Sequence, residues 1–256
     1  MIYITGDTHG TYDVNKLAKI KPHLTEDDYV IVLGDFGVCW DNNGSDLKVR
    51  RFWERNKATT LFVDGNHENF DLLNALPVAE WNGGKVHRIG EKIIHLMRGQ
   101  MFELDGKTIF TMGGAPSHDC GSALIEFINA HLDDYHAFFA GHDKMQGPSR
   151  SGGRVPGKSW WAAEIPTQEE LSEAKANLAK ANNKVDYILT HTAPTQILAS
   201  RGLNPNESPQ ASEMMSFFEW LEQNVEFNNW WFGHLHEDFY YDMRHIGFYE
   251  QIREMY

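Results

Sequence analysis

His234 and His236 stand two residues apart after a short apolar run, in Gly233-His234-Leu235-His236. Alternate residues of a strand share a face, so such a pair offers two imidazoles to one side. Four more short motifs sit where an apolar, β-type run stops: Gly6-Asp7-Thr8-His9-Gly10, Gly34-Asp35, Gly65-Asn66-His67-Glu68 and Thr190-His191. Between them they deliver Asp, His, Asp, Asn and three further histidines. Imidazole and carboxylate suit Zn, Fe or Mn, and an amide oxygen adds a hard ligand, so the set fits a pair of divalent ions. The glycines allow tight turns and let the backbone pass close to an ion with no Cβ in the way. Each motif alone reads equally well as a turn or a packed histidine. Five in succession point to one rim.

Elements must bring that rim together. Ile2–Thr5, Tyr29–Leu33 and residues 60–63 read as short strands, with helical patterns at 14–20 and 46–57 between them. Strand–helix–strand repetition implies a parallel sheet covered by helices, with ligands bound outside the carboxyl ends of the strands. From 85 to 112 four strand candidates are separated by Gly90-Glu91-Lys92, Arg98-Gly99 and Asp105-Gly106-Lys107. These hairpin signals predict an antiparallel meander that forms a second sheet. Residues 115–165 are Gly- and Pro-punctuated, end in Trp160-Trp161, and read as a lid or specificity loop. Thr167 is placed to cap a helix running to about residue 181. A strand at 185–189, a helix at 212–224, a strand at 230–232 and a hairpin over 239–249 complete the α/β pattern. No Pro/Gly/Ser-rich linker divides residues 1–256, so one domain is expected.

Composition narrows the function classes. Lys and Arg total 23 against 36 Asp and Glu, a formal charge of −13, which argues against binding long nucleic acid through its backbone. An ion pair can still make an acidic chain attractive to phosphate at one spot. No run approaches the ~18 apolar residues of a membrane span. The start of the chain lacks a secretion-signal pattern, and two cysteines, Cys39 and Cys120, make no disulfide framework. A reducing cytoplasm is the expected location. Oligomeric state is not legible.

In motif order, from Asp7 to His236, the sequence resembles the calcineurin-like metallophosphoesterases. That resemblance implies a two-sheet α/β/β/α sandwich. It also implies a first metal held by Asp7, His9 and His236, a second by Asn66, His191 and His234, and Asp35 bridging both. His67 is then the residue expected to protonate the leaving group. Two divalent ions are implied, Mn2+ foremost with Fe, Zn or Ni as alternatives. Hydroxide held between ions roughly 3.5–4 Å apart would attack phosphorus in line with the leaving oxygen.

The resemblance loosens after Asp35. The run Asp35-Phe36-Gly37-Val38-Cys39 has Val38 and Cys39 where the protein Ser/Thr phosphatase branch carries an orienting Asp and a phosphate-binding Arg. Activity of that branch's usual type is not expected, and what orients His67 stays open, with Asp64 near in sequence. Arg150 and Arg154 are candidate phosphate clamps, since guanidinium forks match phosphate. His118 and His142 are candidates to face the site, with a surface place the simpler reading, and Trp160 and Trp161 are candidates to stack a ring, with packing of the lid against the body the simpler reading. The leading expectation is a phosphomonoesterase acting on a small molecule or phosphoprotein. The alternatives are a phosphodiesterase or nuclease using the same metals, and a non-catalytic scaffold.

Overall fold

The computed structural model describes residues 1–41, 44–117, 154, 157–204 and 209–256. Two sheets stack face to face. The first contains β1 (Ile2–Thr5), β2 (Tyr29–Leu33), β3 (Thr59–Val63), β4 (Val78–Trp81), β5 (Gly84–Arg88), β6 (Ile93–Leu96) and β13 (Ile252–Glu254), in the order β13-β1-β2-β3-β6-β5-β4. Its centre, β1-β2-β3-β6, is parallel, and antiparallel strands close both edges. The second contains β7 (Gln100–Leu104), β8 (Lys107–Met112), β9 (Lys184–Thr190), β10 (Glu226–Phe232), β11 (Phe239–Tyr240) and β12 (His245–Gly247), in the order β11-β12-β10-β9-β8-β7. Here β8, β9, β10 and β12 run parallel.

Strand alternation sorts the side chains into layers. Ile31 and Leu33 of β2 and Leu61 and Val63 of β3 point inward, against Ile109, Tyr187, Leu189 and Trp231 of the second sheet. Val30, Val32 and Phe62 point outward and are covered by Leu17 of a 3-10 helix (Val14–Lys19), Trp53 of α1 (Gly44–Glu54) and Leu73 of α2 (Phe70–Asn74). The outer face of the second sheet packs on α3 (Gln168–Lys180), α4 (Thr195–Ser200) and α5 (Pro209–Asn224) through residues such as Leu171, Ile197 and Phe218. The result is the expected α/β/β/α sandwich. Thr167 caps α3 in a full capping box with Glu170. Among the described residues no helix is long and apolar enough to cross a membrane.

Three expectations change. The 85–112 stretch is not one meander within the second sheet. Its first two strands complete the first sheet, β6 by parallel pairing with β3, and only β7 and β8 enter the second. The Arg98-Gly99 signal is the crossover between sheets: Gly99 has φ +69°, and a Cβ there would meet Ala174 of α3 at 2.9 Å. The 14–20 helix is a 3-10 turn, and β13 returns to pair with β1, which sequence periodicity did not reveal. Most of the candidate lid, with His118, His142 and Arg150, lies outside the described residues.

Candidate metal centre

β1, β2, β3, β9 and β10 all end on one side, and the five motifs follow them. The loops are threaded tightly. A Cβ on Gly65 would fall 2.1 Å from Asp35 Oδ1, and one on Gly34 would fall 2.0 Å from His191 Nδ1. Eight non-glycine residues among those described have positive φ, and four of them are His9, Asp35, His234 and His236. The other four are Asn or Asp in turns, types that tolerate that conformation. Left-handed histidines cost roughly 1 kcal/mol or more each, and such strain gathers at functional sites.

Asp7, His9, Asp35 and His236 each offer one donor atom within 4.8 Å of the others, a group able to hold a metal ion. His9 Nε2 lies 3.3 Å from Asp35 Oδ2, and its Nδ1 is engaged 2.7 Å from Asp13 Oδ2, which fixes the ring. His236 Nε2 is 3.0 Å from Asp7 Oδ2 but off the line a ring N–H needs to donate. That buried oxygen therefore accepts no hydrogen bond among the described residues. A buried carboxylate oxygen cannot stand alone cheaply, and a cation shared with His236 would satisfy it. Burial disfavours charging His9, yet the hydrogen bond and charge of Asp35 raise its pKa to about 9. A cation there would displace that proton.

The other oxygen of Asp35 faces a second group. His191 Nε2 lies 3.4 Å from Asp35 Oδ1 and 3.1 Å from Asn66 Oδ1. Leu33 O, 2.8 Å from His191 Nδ1, can only accept, so Nδ1 carries a proton and the ring is held with Nε2 facing Asn66 and Asp35. Asn66 is oriented by a similar chain. Ser117 Oγ donates to the buried Glu164 carboxylate at 2.6 Å and so accepts from Asn66 Nδ2 at 3.0 Å, which aims the amide oxygen at His191. His191 Nε2, Asn66 Oδ1 and Asp35 Oδ1 thus gather at one point. The His234 ring packs on His191 with centroids 4.8 Å apart, and its backbone N–H donates to Asp7 Oδ1 at 3.0 Å.

His67 stands at the mouth. Its backbone N–H donates to Asp35 Oδ1 at 2.7 Å, while its ring keeps 37% of its surface open, with Nε2 4.0 Å from Asp35 Oδ2. Asp64 does not orient it: that carboxylate is taken by Arg98 at 2.6 Å and His95 at 3.0 Å, on the far side of the strand end. Arg154 places a guanidinium nitrogen against His67 Nε2 and donates to Ser159 O at 3.1 Å. Trp160 and Trp161 are buried packing residues, so the ring-stacking reading does not hold for them. Cys39 is buried beside Arg50, and burial pushes its thiol to about 11, an inert state. Glu68, also buried, accepts from the Phe36 and Gly37 amides and shapes the loop after Asp35.

Sequence reading missed Asp13, Ser117, Glu164 and Lys16. Asp13 could have been found four residues after His9. Lys16, buried, donates to the Gly6, Asp7 and Tyr249 carbonyls and ties β1's end to the chain's last turn, a link no spacing announces.

Among curated proteins none matches the chain at a significant level. Among solved structures, a phosphopantetheinyl hydrolase from Mycobacterium tuberculosis aligns over 96% of this chain and 87% of its own, at 17% identity and a TM-score of 0.42. A likeness that distant carries no functional argument. A family model for calcineurin-like phosphoesterases matches residues 1–238. A match of that span, over a sandwich whose strand ends gather a cation-binding group, makes the chain a member of the calcineurin-like phosphoesterases and a metal-dependent hydrolase of phosphoric esters.

Proposed function

We propose that the chain is a phosphomonoesterase working with two divalent ions. Asp7, His9 and His236 would hold the first ion, Asn66, His191 and His234 the second, and Asp35 would serve both. One observation carries this reading: histidine ring nitrogens face each of the two oxygens of a single buried carboxylate, Asp35, 3.3 Å away on one side and 3.4 Å on the other. When bound, the ions, Mn2+ foremost with Fe, Zn or Ni as alternatives, would supply Lewis acidity that offsets phosphate charge and makes water a stronger nucleophile near neutral pH.

The chain's own groups do the rest. Asp35 would serve both donor groups and, through the His67 amide, positions the proton donor. The His67 imidazole, open to solvent and outside both donor groups, would hand its proton to the leaving oxygen. Arg154, against His67, would bind a phosphate oxygen of the ester as a charged fork. Segment 115–165 would act as a cover, since its described parts at Ser117 and Arg154 both reach the centre. A small or protein-bound phosphate in the cytoplasm is the expected substrate.

Purified protein should bind about two ions per chain by elemental analysis and, with Mn2+, hydrolyse nitrophenyl phosphate faster than its bis-ester. The reverse preference would favour a phosphodiesterase, and no turnover with any metal would remove the catalytic reading. His67→Ala should lower kcat by roughly 100- to 10,000-fold with metal content retained. Loss of metal instead would show that His67 is a ligand. Asp35→Asn should deplete both ions together.

A further inference from the structure

A cavity of about 480 Å³ opens beside the metal centre and shares two walls with it, His9 and His67. If His67 protonates the leaving oxygen, as proposed above, the group attached to that oxygen must pass His67, and this is the space it enters. Ligand pockets for small molecules run to about 300–1,000 Å³, so the volume suits a group of small-molecule size.

Its surfaces are specific. Gly10 and Gly37 bring backbone to the lining, packed on each other: Gly10 donates to Phe36 O at 3.0 Å, and a Cβ on Gly37 would fall 2.6 Å from Gly10 N. Trp40 forms one wall, half-buried and held from three directions. Its backbone N–H donates to Asp46 Oδ2 at 2.8 Å, its backbone carbonyl accepts from Asn69 Nδ2 at 2.6 Å, and its ring packs edge-on against Trp161 with centroids 5.7 Å apart. The indole tilts 31° from the His67 ring, 6.4 Å away, so the two planes line the same passage. Tyr12 stands 86% exposed on the lining, an aromatic ring with little of its surface covered. Lys48 supplies a cation to a lining that also carries the Asp41 and Asp46 carboxylates. A held indole and an open phenol beside Gly10 and Gly37 favour a flat π-face over a flexible alkyl chain, because the indole offers its face with little further ordering of its own side chain.

We infer that this cavity is the leaving-group subsite and that it selects phosphate monoesters whose alcohol carries an aromatic or heteroaromatic ring. Trp40 and Tyr12 stack that ring. Lys48 meets polar substituents on it.

The test compares 2-(1-naphthyl)ethyl phosphate with propyl phosphate, whose leaving alkoxides are of similar basicity, so that the ring is the main variable. With Mn2+, kcat/KM should favour the naphthyl ester by about tenfold or more, as one stacked ring commonly provides. Trp40→Ala and Tyr12→Ala should each pull that ratio toward one, chiefly through KM, while Trp40→Phe keeps most of it. Tyr12 is so exposed that its removal leaves folding out of the question. A wild-type ratio near one with both esters hydrolysed, or variants that slow both esters equally, would overturn the subsite while leaving the phosphomonoesterase standing. Failure of wild type to hydrolyse either ester would remove that parent reading and the subsite with it.

Discussion

Gly34 shows how one atom governs the centre. It sits at φ +96°, and an added methyl would lie 2.0 Å from His191 Nδ1, inside the space of the ring whose other nitrogen faces Asp35 and Asn66. Gly34→Ala therefore meets strain in the backbone and displaces a donor. It should cost more than about 1 kcal/mol in chemical denaturation. It should also lower metal content, chiefly at the His191 side, as read by elemental analysis. A variant with normal stability and full metal would show that the loop has slack which the packing does not display. Asp35, Asn66 and His191 were legible as donors in sequence, while the close packing of Gly34 on the His191 ring was not. Residue type announces a donor; only proximity announces what it shares.

Among the elements, the turn after β8 and the segment before α3 act together on Asn66. Glu164, fully buried, accepts from both the amide and the hydroxyl of Ser117, at 2.8 and 2.6 Å. Burial pushes its carboxyl up to about 7, against those hydrogen bonds. A folded-state pKa raised above the unfolded value means that this group adds stability as pH falls from about 7 toward the ordinary 4.5. Glu164→Gln removes that increment, so its Tm should respond less than wild type's to acidification over this window. Equal pH dependence of the two proteins would contradict the placement of Glu164. Because Ser117 then loses a charged acceptor, metal affinity should also fall, by roughly tenfold or more, the usual effect of disturbing a ligand's supporting partner. Neither Ser117 nor Glu164 has a spacing that marks it: they lie 47 residues apart and meet only through the fold.

For the whole molecule, the two sheets are joined by an apolar seam in which Trp231 is the largest side chain. It is fully buried between Tyr187 and Phe248, with ring centroids 4.9 and 5.2 Å away. Trp231→Ala should cost about 3–5 kcal/mol in denaturant unfolding, the range for emptying an aromatic site in a core. Its indole N–H meets no acceptor among the described residues, so Trp231→Phe, which deletes that orphan donor, should cost much less. Similar losses for both variants would mean that the nitrogen has a partner after all. The seam matters to the centre because β9 and β10 carry His191, His234 and His236 from the second sheet to Asp7, Asp35 and Asn66 of the first.

Local pattern was enough for the strand runs, the donor types and their order, since β-branched runs and Asp, Asn and His keep their meaning locally. Tyr29–Leu33 and the capped α3 formed as their patterns predict. It did not determine where β5 and β6 pair, because a hairpin signal such as Arg98-Gly99 fixes a turn and not the sheet that each arm joins. Nor did it mark Ser117, Glu164, Lys16 or the Trp40 cavity, whose roles come from partners distant along the chain. Tertiary structure decided these, because hydrogen bonds, shared cations and cavities are set by distance in space, and periodicity reports only distance in sequence.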